Sequence, residues 1–145
     1  MQKEGYDLTA KEYLERMKTI KYQIKVKKHE LKDLRDDIDT LKSPLLTEKV
    51  KGGKGSSFTN SIEKAIQLEN DIKKETVEKI SYFHDVHFKI KGLENELHNA
   101  LLTDRYINNR RSDEISKDIN YNAAYVRKLT SDALEAFIKK YGDNF

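Results

Sequence analysis

Between Leu8 and Lys42 the chain returns an apolar residue every three or four positions, with no glycine or proline to interrupt it. One set of heptad positions holds Ala10, Met17, Ile24, Leu31 and Ile38, and the other holds Tyr13, Ile20, Lys27, Leu34 and Leu41. Residues spaced this way stay on one narrow stripe of a helix, and a second helix laid along that stripe is what covers it. The pattern predicts a helix of roughly 50 Å at ~1.5 Å per residue. Met17, Ile20, Ile24, Leu31, Leu34 and Ile38 are the expected oligomerisation seam. Lys27 breaks it, either setting register or laying its stem on the seam with the ammonium in water.

Ser43-Pro44 is expected to stop this helix, because the ring removes a donor and pushes the preceding residue out of the α region. Residues 43–60 then read as a flexible basic loop around Lys49-Val50-Lys51-Gly52-Gly53-Lys54-Gly55-Ser56-Ser57. The G-x-x-x-x-G-K-[ST] spacing of a phosphate loop is absent and no strand precedes the segment. A second long helix is expected from near Ser61 to about Asn99, with a stripe of Ile62, Ala65, Leu68, Ile72, Ile80, Phe83, Ile90, Leu93 and Leu97. Ile66, Val77 and Val86 mark another apolar face of it. Two helices of similar length joined by a loop suggest an antiparallel hairpin, and the extra face suggests a homodimer. Gly92 is a weak point or close-contact site.

Composition supports long exposed helices over one large core. Charged residues make up 37% of the 145 and apolar residues 37%, against about 25% and ~45–50% in ordinary domains. Net charge is only +3, so the charges of both signs fit solvated helix faces. With no cysteine, disulfides, thiolate metal sites and cysteine nucleophiles are excluded. No apolar stretch reads as a leader or membrane span, so a soluble, cytoplasmic protein is expected, with no membrane partner.

Little in the sequence points to chemistry. His84 and His87, at i and i+3 on the second helix with His98 further along, offer two imidazoles to a metal, but no third ligand follows at H-E-x-x-H or Glu-x-x-His spacing. No nucleophile or carboxylate pair stands out, and pairs such as Asp36-Asp37 belong to solvated faces. The expectation is a protein without catalytic residues, metal or cofactor.

The last 45 residues differ. Leu101 to Ile107 closes a helix, Asn108-Asn109-Arg110-Arg111 turns, Ser112 to Ile119 forms a short helix with Ser112 as N-cap, and Asn120-Tyr121-Asn122 turns again into a longer helix capped by Asn122. Asn120 takes the left-handed position of the tight turn. Tyr106, Ile115, Ile119, Val126, Leu129, Leu134 and Phe137 are expected to meet as a small core, leaving Tyr125, Arg127, Lys128 and Ser131 outside.

Arg105-Tyr106, Glu114-Ile115-Ser116, Ile119-Asn120-Tyr121-Asn122, Val126-Arg127 and Ala133-Leu134 stand where the helix-turn-helix of region 4 of bacterial sigma factors has its hallmark residues, and this segment resembles that motif. The whole layout, with Ser61 to Ile72 in the second helix, resembles a family of small phage regulators of Gram-positive hosts that includes late-gene and autolysin-type regulators. The resemblance implies an all-α chain, residues 1–99 an oligomerisation region and 100–145 a helix-turn-helix, acting as a phage or prophage transcription regulator on double-stranded DNA.

In such a motif the N-terminal turns of the last helix enter the major groove while basic neighbours grip phosphate. Ala123, Ala124, Tyr125, Arg127, Lys128 and Ser131 then face DNA. Arg105, Arg110, Arg111 and Lys117 anchor its backbone. Ala123-Ala124 replace the polar residues with which region 4 reads a promoter, which points to an operator of its own or to docking on RNA polymerase or a sigma factor. A small terminase subunit for DNA packaging and a trihelical protein-docking module without DNA are the alternatives from other classes.

Overall fold

The computed structural model describes residues 7–47 and 54–145, with side chains described up to Lys42 and again from Phe58. Every regular element among them is helical: α1 (Ala10–Glu15), α2 (Met17–Thr47), α3 (Lys54–Lys91), α4 (Glu96–Leu102) running into a π turn (Thr103–Ile107), α5 (Ser112–Ile119) and α6 (Ala123–Tyr141). None is long and apolar enough to cross a membrane.

The helix ends correct the sequence expectations at several points. α2 passes Ser43-Pro44 and continues to Thr47; proline's fixed φ is itself helical, and its missing N–H removes a single bond. α3 starts at Lys54, earlier than Ser61, because half-buried Phe58 extends the apolar stripe by one turn before Ile62. The expected loop is therefore helix at both ends, and residues 48–53 lie outside the described residues. α3 ends at Lys91, short of Asn99. Beyond Gly92, Asn95 caps a new helix by accepting from the backbone N–H groups of Leu97 (2.9 Å) and His98 (3.1 Å), so His98 belongs to α4. The first predicted helix is interrupted at Arg16, whose backbone stays right-handed at φ −59° and ψ −22°.

The chain packs as two compact units, one holding Lys21 and the described residues before it with Ser81–Phe145, the other Tyr22–Ile80. In the first unit Leu14, Met17, Val86, Ile90, Leu102, Ile115, Val126 and Phe137 are fully buried, and α6 packs against α1, α4 and α5. Thr9 and Glu12 cap α1 reciprocally, at 3.2 and 3.0 Å. Leu8 and Phe145 exchange both backbone hydrogen bonds, at 2.9 and 2.8 Å. The Tyr13 ring stacks on Phe145 at 4.3 Å, its hydroxyl reaches Asp85, and Tyr82 donates to the Tyr13 carbonyl at 2.7 Å. Gly92 sits under Tyr141, whose hydroxyl a Cβ there would strike.

In the second unit the two helical segments run antiparallel, since Lys27 pairs with Glu75 at 2.7 Å, Arg35 with Glu69 at 3.5 Å, and Lys79 donates to Gln23 at 3.1 Å. Ile38, Ile62 and Ile72 are buried there, as are the polar Glu69 and Thr76. The expected stripe of α3 is corrected here. Leu68 of that stripe is exposed, as is Val77 of the other expected face, because the heptad through Ile62 next falls on Glu69 and Thr76. Thr76 is satisfied by donating to the Ile72 carbonyl at 2.7 Å. Glu69 accepts from Lys73 at 3.2 Å, a bond that, with Arg35 nearby, holds its carboxyl below the usual range. Lys27, the break in the first seam, lies against Glu75, and that hydrogen bond raises its own affinity for the proton.

Candidate nucleic-acid interface

The region starts from the turn between α5 and α6. Asn120 is left-handed at φ 59°, a conformation asparagine tolerates, so the chain reverses tightly there. Asn122 then accepts from the Tyr125 backbone N–H at 2.8 Å and fixes the first turn of α6. Upstream, α5 is capped one residue earlier than expected, Arg111 being the N-cap and Ser112 the first helical residue. The reason is local, since the Arg111 N–H donates to Glu114 Oε1 at 3.3 Å. Ile115 and Val126 bury against Leu101, with Ile119 and Leu129 packed on them, and this short-range core sets how α6 lies on α5.

Val126, Ala133 and Phe137 turn inward from α6, and Ala124, Tyr125, Arg127, Lys128 and Ser131 are exposed, with Ala123 half-buried. Ala124, Arg127, Lys128 and Ser131 follow at three- and four-residue spacing and share the outward face. Tyr125 flanks it, its ring 4.9 Å from that of Tyr121 and edge-on to it.

The expected phosphate-anchoring residues divide into two groups. Arg110 is held inside the fold, pairing with Asp104 at 2.9 Å and Asp118 at 2.5 Å and donating to the Glu114 carbonyl at 3.3 Å. The Asp118 hydrogen bond, ahead of the pull of Asp104, keeps its guanidinium above the usual range. Arg111 lies 3.2 Å from Glu114 and 3.4 Å from Asp113. Arg105, Lys117, Arg127 and Lys128 have no carboxylate within pairing distance among the described residues. Arg110 is held by carboxylates of the fold, Arg111 keeps an exposed side chain beside Asp113 and Glu114, and the cations of α6 and the π turn have no such pair among the described residues.

Beside α6 lies an open cavity of about 230 Å³. Arg127, Ser131 and Leu134 line one wall, Arg105 and Tyr106 of the π turn another, and Lys11 of α1 closes the side. The π turn matters for this placement, since its extra residue, closed by Asn108 N–H to Thr103 O at 2.9 Å, buries Tyr106 while its neighbour Arg105 lines the cavity. Burial pushes the proton affinity of the Tyr106 phenol up. Sequence reasoning missed Lys11, which nothing local distinguishes from the many lysines of the predicted helix over 8–42.

The seam residues expected to oligomerise are covered within the chain to different degrees. Met17 and Ile20 are buried in the first unit and Ile38 in the second, while Ile24, Leu31 and Leu34 are half-buried. On α3, Val86 is buried, Ile66 half-buried and Val77 exposed. His84 and His87 both lie edge-on to the Phe83 ring at 5.9 Å, and burial, with Lys91 nearby, lowers the proton affinity of His87. Among the described residues no group of three or more His, Asp or Glu is arranged to hold a metal.

Residues 40–136 match the family described as "Protein of unknown function (DUF1492)", and with well over half of its length matched the chain belongs to that family. No curated protein and no solved structure matches it significantly.

Proposed function

We propose that this member of the DUF1492 family is a DNA-binding transcription regulator, in which α5, the Asn120 turn and α6 act as a helix-turn-helix on duplex DNA. The observation that carries the reading is the outward face of α6, where Arg127 and Lys128 stand exposed, with no carboxylate partner among the described residues, beside small Ala124 and Ser131. A helix entering the major groove needs that combination: little bulk toward the base edges, and cations free to meet phosphate or guanine. Arg105 and Lys117 extend the cationic surface, whereas Arg110 and Arg111 order the turn in front of it.

In this reading the antiparallel pairing of α2 with α3 is a helical hairpin that holds two copies together. Paired half-sites then give avidity that one module lacks, with a spacing set by the hairpin. The mechanism is binding and recruitment in a bacterial cytoplasm, and a phage or prophage late gene is the proposed target. Ala124 limits base contact at its position to apolar groups such as a thymine methyl.

The test is a titration of the full chain with random and selected duplexes at two salt concentrations, beside the Arg127→Ala/Lys128→Ala variant. The expected result is sequence selection by the wild type and, in the variant, weaker binding with a salt slope shallower by about 0.9 per lost phosphate contact. Wild type and variant with identical affinities and slopes would refute the reading. No binding by either would turn the search to RNA polymerase and its sigma factor.

A further inference from the structure

We infer that the cavity between α1, the π turn and α6 is a binding site for a phosphate group. Lys11, Arg105 and Arg127 converge on it from three separate elements, and no carboxylate lines it. None of the three cations is paired with a carboxylate among the described residues. Elsewhere among the described residues, partly buried cations are neutralised: Arg110 sits on two aspartates and Lys27 on two glutamates. Three cationic residues lining one concavity without a carboxylate favour an anion there, and a phosphate oxyanion matches guanidinium donors in charge and geometry.

The remaining lining fits the same chemistry. Thr130 donates its own proton to the Val126 carbonyl at 2.8 Å, but the hydroxyls of Ser112 and Ser131 have no partner among the described residues and remain free to donate. Leu134 supplies a short apolar wall. A volume of about 230 Å³ takes a phosphate together with part of the group it is esterified to.

Two sources can deliver such a phosphate, the backbone of a duplex lying on α6 and a free phosphorylated small molecule. The site shares Arg105 and Arg127 with the proposed DNA surface, but it stands on the cavity and does not require that reading. Lys11 separates the two, because it lines the cavity from a helix outside the α5–α6 pair.

The experiment uses full-length protein labelled with nitrogen-15, titrated with inorganic phosphate against sodium chloride of equal ionic strength. It is repeated with Lys11→Gln and Arg105→Gln, both at positions outside the buried core. The expected result is saturable amide shifts at Ser112, Arg127 and Ser131 with phosphate alone, and affinity weakened about tenfold in each variant. The same proteins are then titrated with a random duplex at two salt concentrations. A Lys11→Gln slope shallower by about 0.9 assigns the phosphate to the DNA backbone. Cavity shifts with an unchanged slope assign it to a free phosphorylated ligand. Absence of both effects, or shifts with the same affinity in the variants as in the wild type, overturns the inference, even where the duplex still binds through Lys128. Cavity shifts in a protein that binds no duplex leave the site standing and remove only the DNA reading.

Discussion

Phe137→Ala tests the packing that supports α6. The ring is fully buried and meets Tyr141 at 5.0 Å, Phe145 at 5.9 Å and Tyr13 at 6.4 Å between centroids. Truncation to alanine removes about 150 Å² of buried apolar surface, worth roughly 4 kcal/mol at ~25 cal/mol per Å². Measured losses for buried aromatic residues cut to alanine run at about 3–5 kcal/mol, with the unfilled cavity included. Against a total stability of about 5–15 kcal/mol this is a large fraction, and it should lower the melting temperature by roughly 10 °C. Urea unfolding followed by tyrosine near-ultraviolet circular dichroism is the assay, because Tyr13, Tyr82, Tyr106 and Tyr141 lie in the same unit as Phe137. In a double-mutant cycle Phe145→Ala should couple to it by about 0.5–1.5 kcal/mol. A loss under about 1 kcal/mol for Phe137→Ala would refute the view that this ring anchors α6.

Three other outcomes follow from the geometry. Asn122→Ala removes the side-chain acceptor from the Tyr125 N–H and should cost about 1 kcal/mol in thermal melts, with Asn122→Asp restoring most of it. The carboxyls of Glu69 and Glu75 are held below the usual range, chiefly by hydrogen bonds from Lys73 and Lys27. Their stabilising contribution is complete above the unfolded carboxylate value of about 4.3 and is lost as pH falls through the lower folded values, so helix content should fall more steeply below about pH 4 in the wild type than in Glu69→Gln/Glu75→Gln. Arg110→Ala should lower the melting temperature and leave the salt slope of duplex binding unchanged; a slope shallower by about 0.9 would return Arg110 to the phosphate contacts.

The order of helices and turns in the last 45 residues was legible because each boundary carries its own chemistry: the left-handed Asn120, the cap at Asn122, and the change from polar to periodic apolar residues. The first seam was legible for a similar reason. None of its ten heptad positions between Ala10 and Leu41 is exposed. The second was legible at Ile62, Ile72, Ile90 and Leu93, which are buried, but not at Glu69 and Thr76, because a count of hydrophobic side chains takes the neighbouring Leu68 and Val77 instead. What decides between them is whether the buried polar groups find partners, and those partners lie across the helix pair or one turn away, beyond what periodicity reports. The candidate site was legible in its helix and less so in its charges. Arg110 reads like Arg127 and Lys128 in the sequence, and only the folded positions of Asp104 and Asp118 mark it as a captive cation.

Lys11 presents the larger separation, and its position has a physical cause. Ala10 donates its backbone N–H to Asp143 at 2.8 Å, Leu8 pairs through both backbone groups with Phe145, and Phe145 stacks on Tyr13. α1 is thus tied at its first turn to the residues that follow α6, and Tyr13 joins the rings around Phe137. Lys11 projects from between these ties, so its place at the cavity is set by contacts spanning more than 130 residues of sequence. One face of α6 carries the core, and the outward face holds Ala124 and Lys128 together with Arg127 and Ser131, which also line the cavity. Because α1 and α6 are fixed by the same packed rings, loss of the Phe137 contacts would move the Lys11 side of the cavity and the outward face together.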